Sequence, residues 1–158
     1  MVHFLFDDEE MKAITLTQPW ATLVALGEKK IETRSWACYY SGPLAIHAAK
    51  AYKKREFAVT VQLPFFREAL WGIDPVKVLG CVIAITSVTR CVRMGETGYP
   101  SHDDSTLIPL FTPKEMAFGN FGPGRYAWIL GPVRRIKPVP AVGHQLLWDW
   151  DAPYEVIP

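Results

Sequence analysis

An α+β fold, a small β-barrel with flanking helices, is what this sequence predicts. Three observations lead there. Runs of Val, Ile, Leu and Thr bounded by Gly and Pro recur along the chain and read as strands. Two stretches, one after Pro19 and one across 50–70, carry helical spacing instead. At 158 residues, 49% apolar and 21% charged, the chain makes one globular domain with enough length for a real core.

Met11–Leu16 is the first strand, with Ile14 and Leu16 alternating against Thr15 and Thr17. Pro19 suits the first turn of a helix, where its missing N–H would lack a partner anyway. Trp20, Leu23, Val24 and Gly27 fall on one face of that helix, and Gly27 is its stop. Lys30–Arg34 reads as the second strand, with Glu32 and Arg34 on one face and Ile31 and Thr33 on the other. Pro43–His47 is the third. Lys50–Leu70 is mainly helical, with Phe57, Val61 and Phe65 about a turn apart and Pro64 ending or kinking it. Lys77–Val92 holds the longest β-like run.

Met94–Phe121 is mostly loop, except that Thr112-Pro113-Lys114-Glu115 forms a short capped turn of helix. Gly122-Pro123-Gly124 introduces a strand over Arg125–Leu130. Val133–Pro140 is an edge or terminal strand, because Pro138 and Pro140 cannot donate to a ladder. No internal repeat or low-complexity tract occurs.

Charge is unevenly spread. The first ten residues hold four acids and no Lys or Arg, so an acidic extension (1–10) precedes a single domain (11–158). The extension supplies −4 of a total of +1, which leaves +5 on the domain. Between Glu28 and Arg55 seven cations face two carboxylates, which accounts for that excess. A local basic cluster on a near-neutral chain points to a focused anionic partner. No apolar run approaches a membrane span, and the N-terminus has neither the basic start nor the apolar core of a signal peptide, so the expected location is cytoplasmic, with no membrane partner.

Cys38, Cys81 and Cys91 are odd in number and without CxxC spacing, so neither a disulfide framework nor a cysteine zinc site is expected. His3, His47, His102 and His144 are too dispersed for a metal site. Walker, dinucleotide-binding and HExxH patterns are all missing, and no cofactor is expected.

The most informative stretch is Gly27-Glu28-Lys29-Lys30-Ile31-Glu32-Thr33-Arg34. Gly27, Lys29, Glu32 and Arg34 satisfy G-x-K-x-x-E-x-R, the pattern of the ASCH domain family, a PUA-like β-barrel group. Thr17-Gln18-Pro19-Trp20, Ile46-His47-Ala48-Ala49-Lys50, Gly119–Trp128 and Gly143–Trp148 are similar to longer bacterial and phage-type members. The resemblance spans Met11 to about Trp150. It implies a barrel with a cleft beside the first helix, linked to single-stranded RNA or a nucleoside ligand. It also implies an alternative: some relatives are ribonucleases, and small bacterial relatives are N4-acetylcytidine amidohydrolases using a lysine, a threonine and a glutamate. Lys29 matches that lysine. Glu32 stands where the threonine would be.

The residues themselves suggest the same chemistry. Lys29 and Glu32 are the candidate catalytic pair, with the glutamate as general base on a water or a 2′-hydroxyl while cations hold phosphate. Alternatively, Glu32 and Arg34 simply pair and fix their strand. The candidate binding residues are Gln18, Trp20, Arg34, His47, Lys50, Arg125 and Tyr126. An amide such as Gln18 can read a base edge, and the Trp20 indole can stack one. His47 could shuttle protons or be a satisfied core histidine. Lys50 could meet phosphate. Gly122-Pro123-Gly124 lets the backbone approach a ligand with Arg125 and Tyr126 beside it. Phe118 and Phe121 add stacking candidates. Trp20 and Arg125 are expected on opposite walls of one cleft.

Overall fold

The computed structural model describes residues 11–101 and 105–158, so the acidic extension and His102 lie outside the described residues. Seven strands form one sheet: β1 (Lys12–Leu16), β2 (Ile31–Arg34), β3 (Pro43–Ala48), β4 (Cys81–Arg93), β5 (Tyr126–Leu130), β6 (Arg134–Pro140) and β7 (Leu147–Asp149). The pairing path is β2-β5-β4-β3-β1-β7, with β6 also on β4. Only β1 and β3 run parallel; the other pairs are antiparallel.

β4 organises the sheet. Its 13 residues are long enough to take different partners along one edge. Cys81–Ile85 pair with β6 and Val88–Arg93 with β5, while Val82–Ser87 face β3 on the other side. Register shifts between Val82 and Ala84, and between Val88 and Arg90, bend the strand where it changes partner. The α+β class expected from the sequence holds, but strand pairing does not close the sheet into a barrel. The path has free ends at β2 and β7.

The first helix, α1 (Trp20–Ala25), begins one residue later than expected, with Pro19 as its N-cap after a cis Gln18–Pro19 bond. Ala21 through Ala25 are all buried, so this helix is enclosed rather than one-faced. Gly27 stops it with φ +73°, a left-handed conformation that glycine adopts without steric cost. The predicted 50–70 helix is two: α2 (Lys54–Thr60) and α3 (Pro64–Ala69), split at Pro64 as its chemistry demands. Phe66 is the residue that α3 buries, and Phe65 is exposed. α4 (Pro113–Phe118) begins at Thr112, whose hydroxyl accepts from the Glu115 N–H at 3.2 Å.

α1 packs on the sheet over Ile14, Leu16, Leu44, Ile46 and Trp128. The opposite face is covered by the C-terminal segment around Trp150 and Tyr154, over Ala13, Val82 and Ile136. A third cluster, of Ile31, Met94, Phe111, Phe121 and Ile129, fills the β2–β5 end. Leu23, Phe66 and Phe118 join α1 to α3 and α4. Phe118 and Phe121 are therefore core residues, 1% and 6% exposed, and not stacking platforms. Among the described residues no helix is long and apolar enough to cross a membrane.

Candidate functional site

β2 delivers the charged motif as its alternation predicts: Ile31 and Thr33 turn inward, while Glu32 and Arg34 remain partly accessible. The accessible pair lines a cleft of about 520 Å³. One wall comes from β1 and the start of α1, through Thr15, Thr17 and Trp20. The other comes from the segment after α4, through Gly119, Asn120 and Arg125. Four sequence-predicted residues thus meet: Trp20, Glu32, Arg34 and Arg125.

Their hydrogen bonds hold the walls in place. Arg34 donates from Nη2 to the Thr15 carbonyl at 3.1 Å. Its Nε is buried without a hydrogen-bond partner, and the nearest carboxylate oxygen, Glu32 Oε1, lies 3.8 Å away. That same Oε1 accepts from the Thr33 amide at 2.8 Å. Arg125 donates from Nε to Asn120 O at 3.0 Å and from Nη2 to Thr33 O at 3.3 Å, which uses two of the five guanidinium N–H groups. The Asn120 amide donates to the Thr33 hydroxyl at 3.2 Å. Trp20 is half-buried, its ring edge-on to Phe66 at 6.1 Å.

Lys29 is elsewhere, and the expectation of an accessible catalytic lysine is corrected. It is 2% exposed, and its ammonium donates to the Ile31 carbonyl. Burial pushes its pKa down, opposed by the charges of Glu32 and Glu115 and helped by Arg34. Glu115 is the residue that sequence reasoning missed. It is buried on α4, accepts from the Lys30 amide at 2.5 Å, and keeps Oε2 without a partner. Burial raises its pKa, and the Lys30 and Ile31 amides and the Lys29 charge oppose that rise. The signal was present in Thr112-Pro113-Lys114-Glu115, where a helix-capping motif places a carboxylate at a buried helix start.

Gln18 is buried as well. It is 2% exposed and fully engaged: Nε2 donates to Thr22 Oγ1 at 2.8 Å and to Pro75 O at 3.0 Å, and Oε1 accepts from the Thr22 amide at 3.0 Å. Its amide fastens the start of α1, and the residue lines a second cleft beside α2 rather than the one with Glu32 and Arg34. Tyr126 sits on β5 opposite Arg34, half-buried against the core and outside the cleft lining.

His47 and Lys50 line a different cleft, of about 1130 Å³, with the 140–145 segment. His47 is 1% exposed; Nδ1 meets Thr15 Oγ1 at 3.1 Å and Nε2 meets Ala141 O at 3.0 Å. Gly143 packs so closely that a Cβ there would lie 2.6 Å from His47 Cε1. Burial lowers the pKa of this histidine, and the core reading is the one its contacts carry. The three cysteines are free and half-buried, with burial pushing each thiol up, the opposite of a poised nucleophile. Among the described residues no cluster of three or more His, Cys, Asp or Glu could hold a metal ion.

An α+β sheet with a cation-lined cleft beside its first helix defines a class of domain, and comparison with known proteins gives it a family. The ASCH domain model matches residues 14–122, and the chain belongs to that family. Two solved structures share its fold, both mutant forms of the ASCH protein from Zymomonas mobilis. One superposes with a TM-score of 0.51 at 14% identity, over 92% of this chain and 92% of the other. The second gives 0.50 at 13% identity, over 90% and 91%. No curated protein matches the sequence closely enough to count as a relative.

Proposed function

We propose that this ASCH domain binds RNA, or a ligand of nucleoside size, in the cleft between β1, β2 and the 119–125 loop. One observation carries the reading: Trp20 and the guanidinium groups of Arg34 and Arg125 line a single cleft. An indole face stacks a base for about 1–3 kcal/mol, and guanidinium groups pair with phosphate. The buried Arg34 Nε adds to this, because an unsatisfied donor costs about 1–3 kcal/mol that a ligand oxygen would offset. ASCH domains are commonly linked to RNA, which supports the same reading. The finer form of the fold goes with it. A PUA-like barrel would bring β2 round to β1, and Arg34 spans those two strands. Three free cysteines fit a reducing compartment, and the cytoplasm is the location we propose.

The hydrolase alternative, ribonuclease or N4-acetylcytidine amidohydrolase, has less in support. Glu32 lines the cleft and could take a proton, but Lys29 is buried and outside the cleft lining. The test is titration with labelled single-stranded RNA at about 50 and 200 mM salt, and with cytidine and N4-acetylcytidine. Mass spectrometry then follows the fate of each. Salt-dependent binding with the RNA intact is the expected result. Failure to bind RNA or nucleoside at low salt rejects the proposal, and turnover would transfer the cleft to the hydrolase reading.

A further inference from the structure

We infer that the binding surface is a groove of strand length rather than a nucleoside pocket, running from Arg125 past Trp20 onto the basic, aromatic face of α2. This rests on the reading of the cleft as an RNA site and extends it. The cleft does not end at Trp20. Beside that residue a second cleft of about 910 Å³ opens, lined also by Tyr52, Lys53, Arg55 and Phe57. Thr17 and Trp20 line both clefts, so the two meet at these residues. Pockets of about 300–1000 Å³ suffice for a small ligand, so the first cleft alone could hold a nucleoside. The second adds space that a nucleoside would leave unused.

Charge and composition point the same way. Lys53 and Arg55 line the second cleft against the single carboxylate of Glu56. The Lys53–Glu56 pair, at 3.2 Å, joins two side chains that are 80% and 70% exposed, so it binds Lys53 weakly. α2 buries none of its residues, and core packing does not explain its sequence. Tyr52 and Phe57 instead stand edge-to-face at 5.3 Å on the groove wall. Cations tracking a groove, with aromatic rings set along it, are the footprint of single-stranded nucleic acid. A duplex is read differently, across a wide shallow groove by its shape and 2′-hydroxyls, and concave clefts that share an indole in their lining favour one strand with its bases unstacked.

The experiment compares a single-stranded RNA octamer, a dinucleotide and an octamer duplex by fluorescence anisotropy. It uses the parent chain, the double variant Lys53→Gln/Arg55→Gln and Arg125→Ala. Lys53 and Arg55 are exposed, so the double variant should keep the parent's melting temperature. The single-stranded octamer should bind the parent more tightly than the dinucleotide or the duplex. The double variant should lose about tenfold for the octamer at low salt, with a log–log salt slope shallower by about 1.4, and keep its dinucleotide affinity. Arg125→Ala should weaken both. A double variant that binds the octamer like the parent overturns the groove while leaving the first cleft as the site. So does a double variant that weakens both ligands equally, which would mark a general field rather than contacts. A parent that binds none of the three at low salt removes the underlying RNA reading and the groove with it.

Discussion

The Arg34 guanidinium on β2 donates to the Thr15 carbonyl on β1 at 3.1 Å, although three other strands separate these two along the pairing path. The sheet therefore curls until one side chain bridges what no ladder joins. The candidate site occupies that unzipped seam. Arg34 spans that seam, and its Nε is buried without a hydrogen-bond partner.

The cleft assignment separates two kinds of contact. Arg125→Ala should weaken RNA binding and reduce the salt slope by about 0.7, the share of one phosphate on a single strand. Trp20→Ala should weaken binding by about 1–3 kcal/mol with little change in slope, since stacking releases few counterions. Titration of each variant at several salt concentrations measures both quantities. Parental affinity and slope in both variants would move the binding site away from this cleft.

Lys29 is buried and donates to the Ile31 carbonyl, so its removal should be felt in stability. Lys29→Ala should lower stability by about 3 kcal/mol, because it leaves the Ile31 carbonyl without its donor and the buried Glu115 without its nearby cation. For a chain of this size the melting temperature should fall by about 10 °C. A folded Lys29→Ala protein that melts with the parent would contradict the burial argument.

His47 makes stability depend on pH with a definite sign. Burial holds its folded pKa below the ordinary 6.5, so the unfolded chain binds the proton more readily. Its contribution is fully present above pH 6.5 and is lost as pH falls through that value toward the folded pKa, at up to about 1.4 kcal/mol per pH unit. Glu115, whose folded pKa is raised above 4.5, has the opposite sign: its folded form holds a proton that the unfolded chain has released. Urea unfolding of the parent and of His47→Gln between pH 5 and 8 isolates the histidine by difference. The variant should be less stable at pH 8 and show a shallower acid loss; parallel curves would exclude the histidine as the cause.

Thr112 sets one cleft wall from a distance. Removing its hydroxyl in Thr112→Ala should cost about 1 kcal/mol and lower the melting temperature by about 2–4 °C, because the Glu115 amide loses its cap. α4 also carries Ala117 and Phe118 to the cleft, so ligand affinity should fall with it. Thr112→Ser keeps the oxygen and should restore both. A serine variant as weak as the alanine one would trace the effect to the lost methyl group instead.

Local chemistry made much of this protein legible in its sequence. The alternation in β2 put Glu32 and Arg34 on one face, Gly27 ended α1, Pro64 split the second helical stretch, and Thr112 capped α4. Each of these follows from a steric or hydrogen-bonding rule that acts within a few residues. The motif Gly27, Lys29, Glu32, Arg34 and its flanking segments carried the family. What the sequence could not decide was which face each element shows to what. The three-residue β7, the parallel β1–β3 pair and the open seam depend on contacts between distant segments. Lys29 and Gln18 read as available polar groups, yet tertiary packing encloses both and satisfies them with the Ile31 carbonyl, Thr22 and Pro75. Trp20 and Arg125, 105 positions apart, became walls of one cleft only because the sheet curls far enough to bring them together. Periodicity tells a side chain which way to point; only the packed chain supplies the neighbour that turns that direction into a core, a hydrogen bond or a binding site.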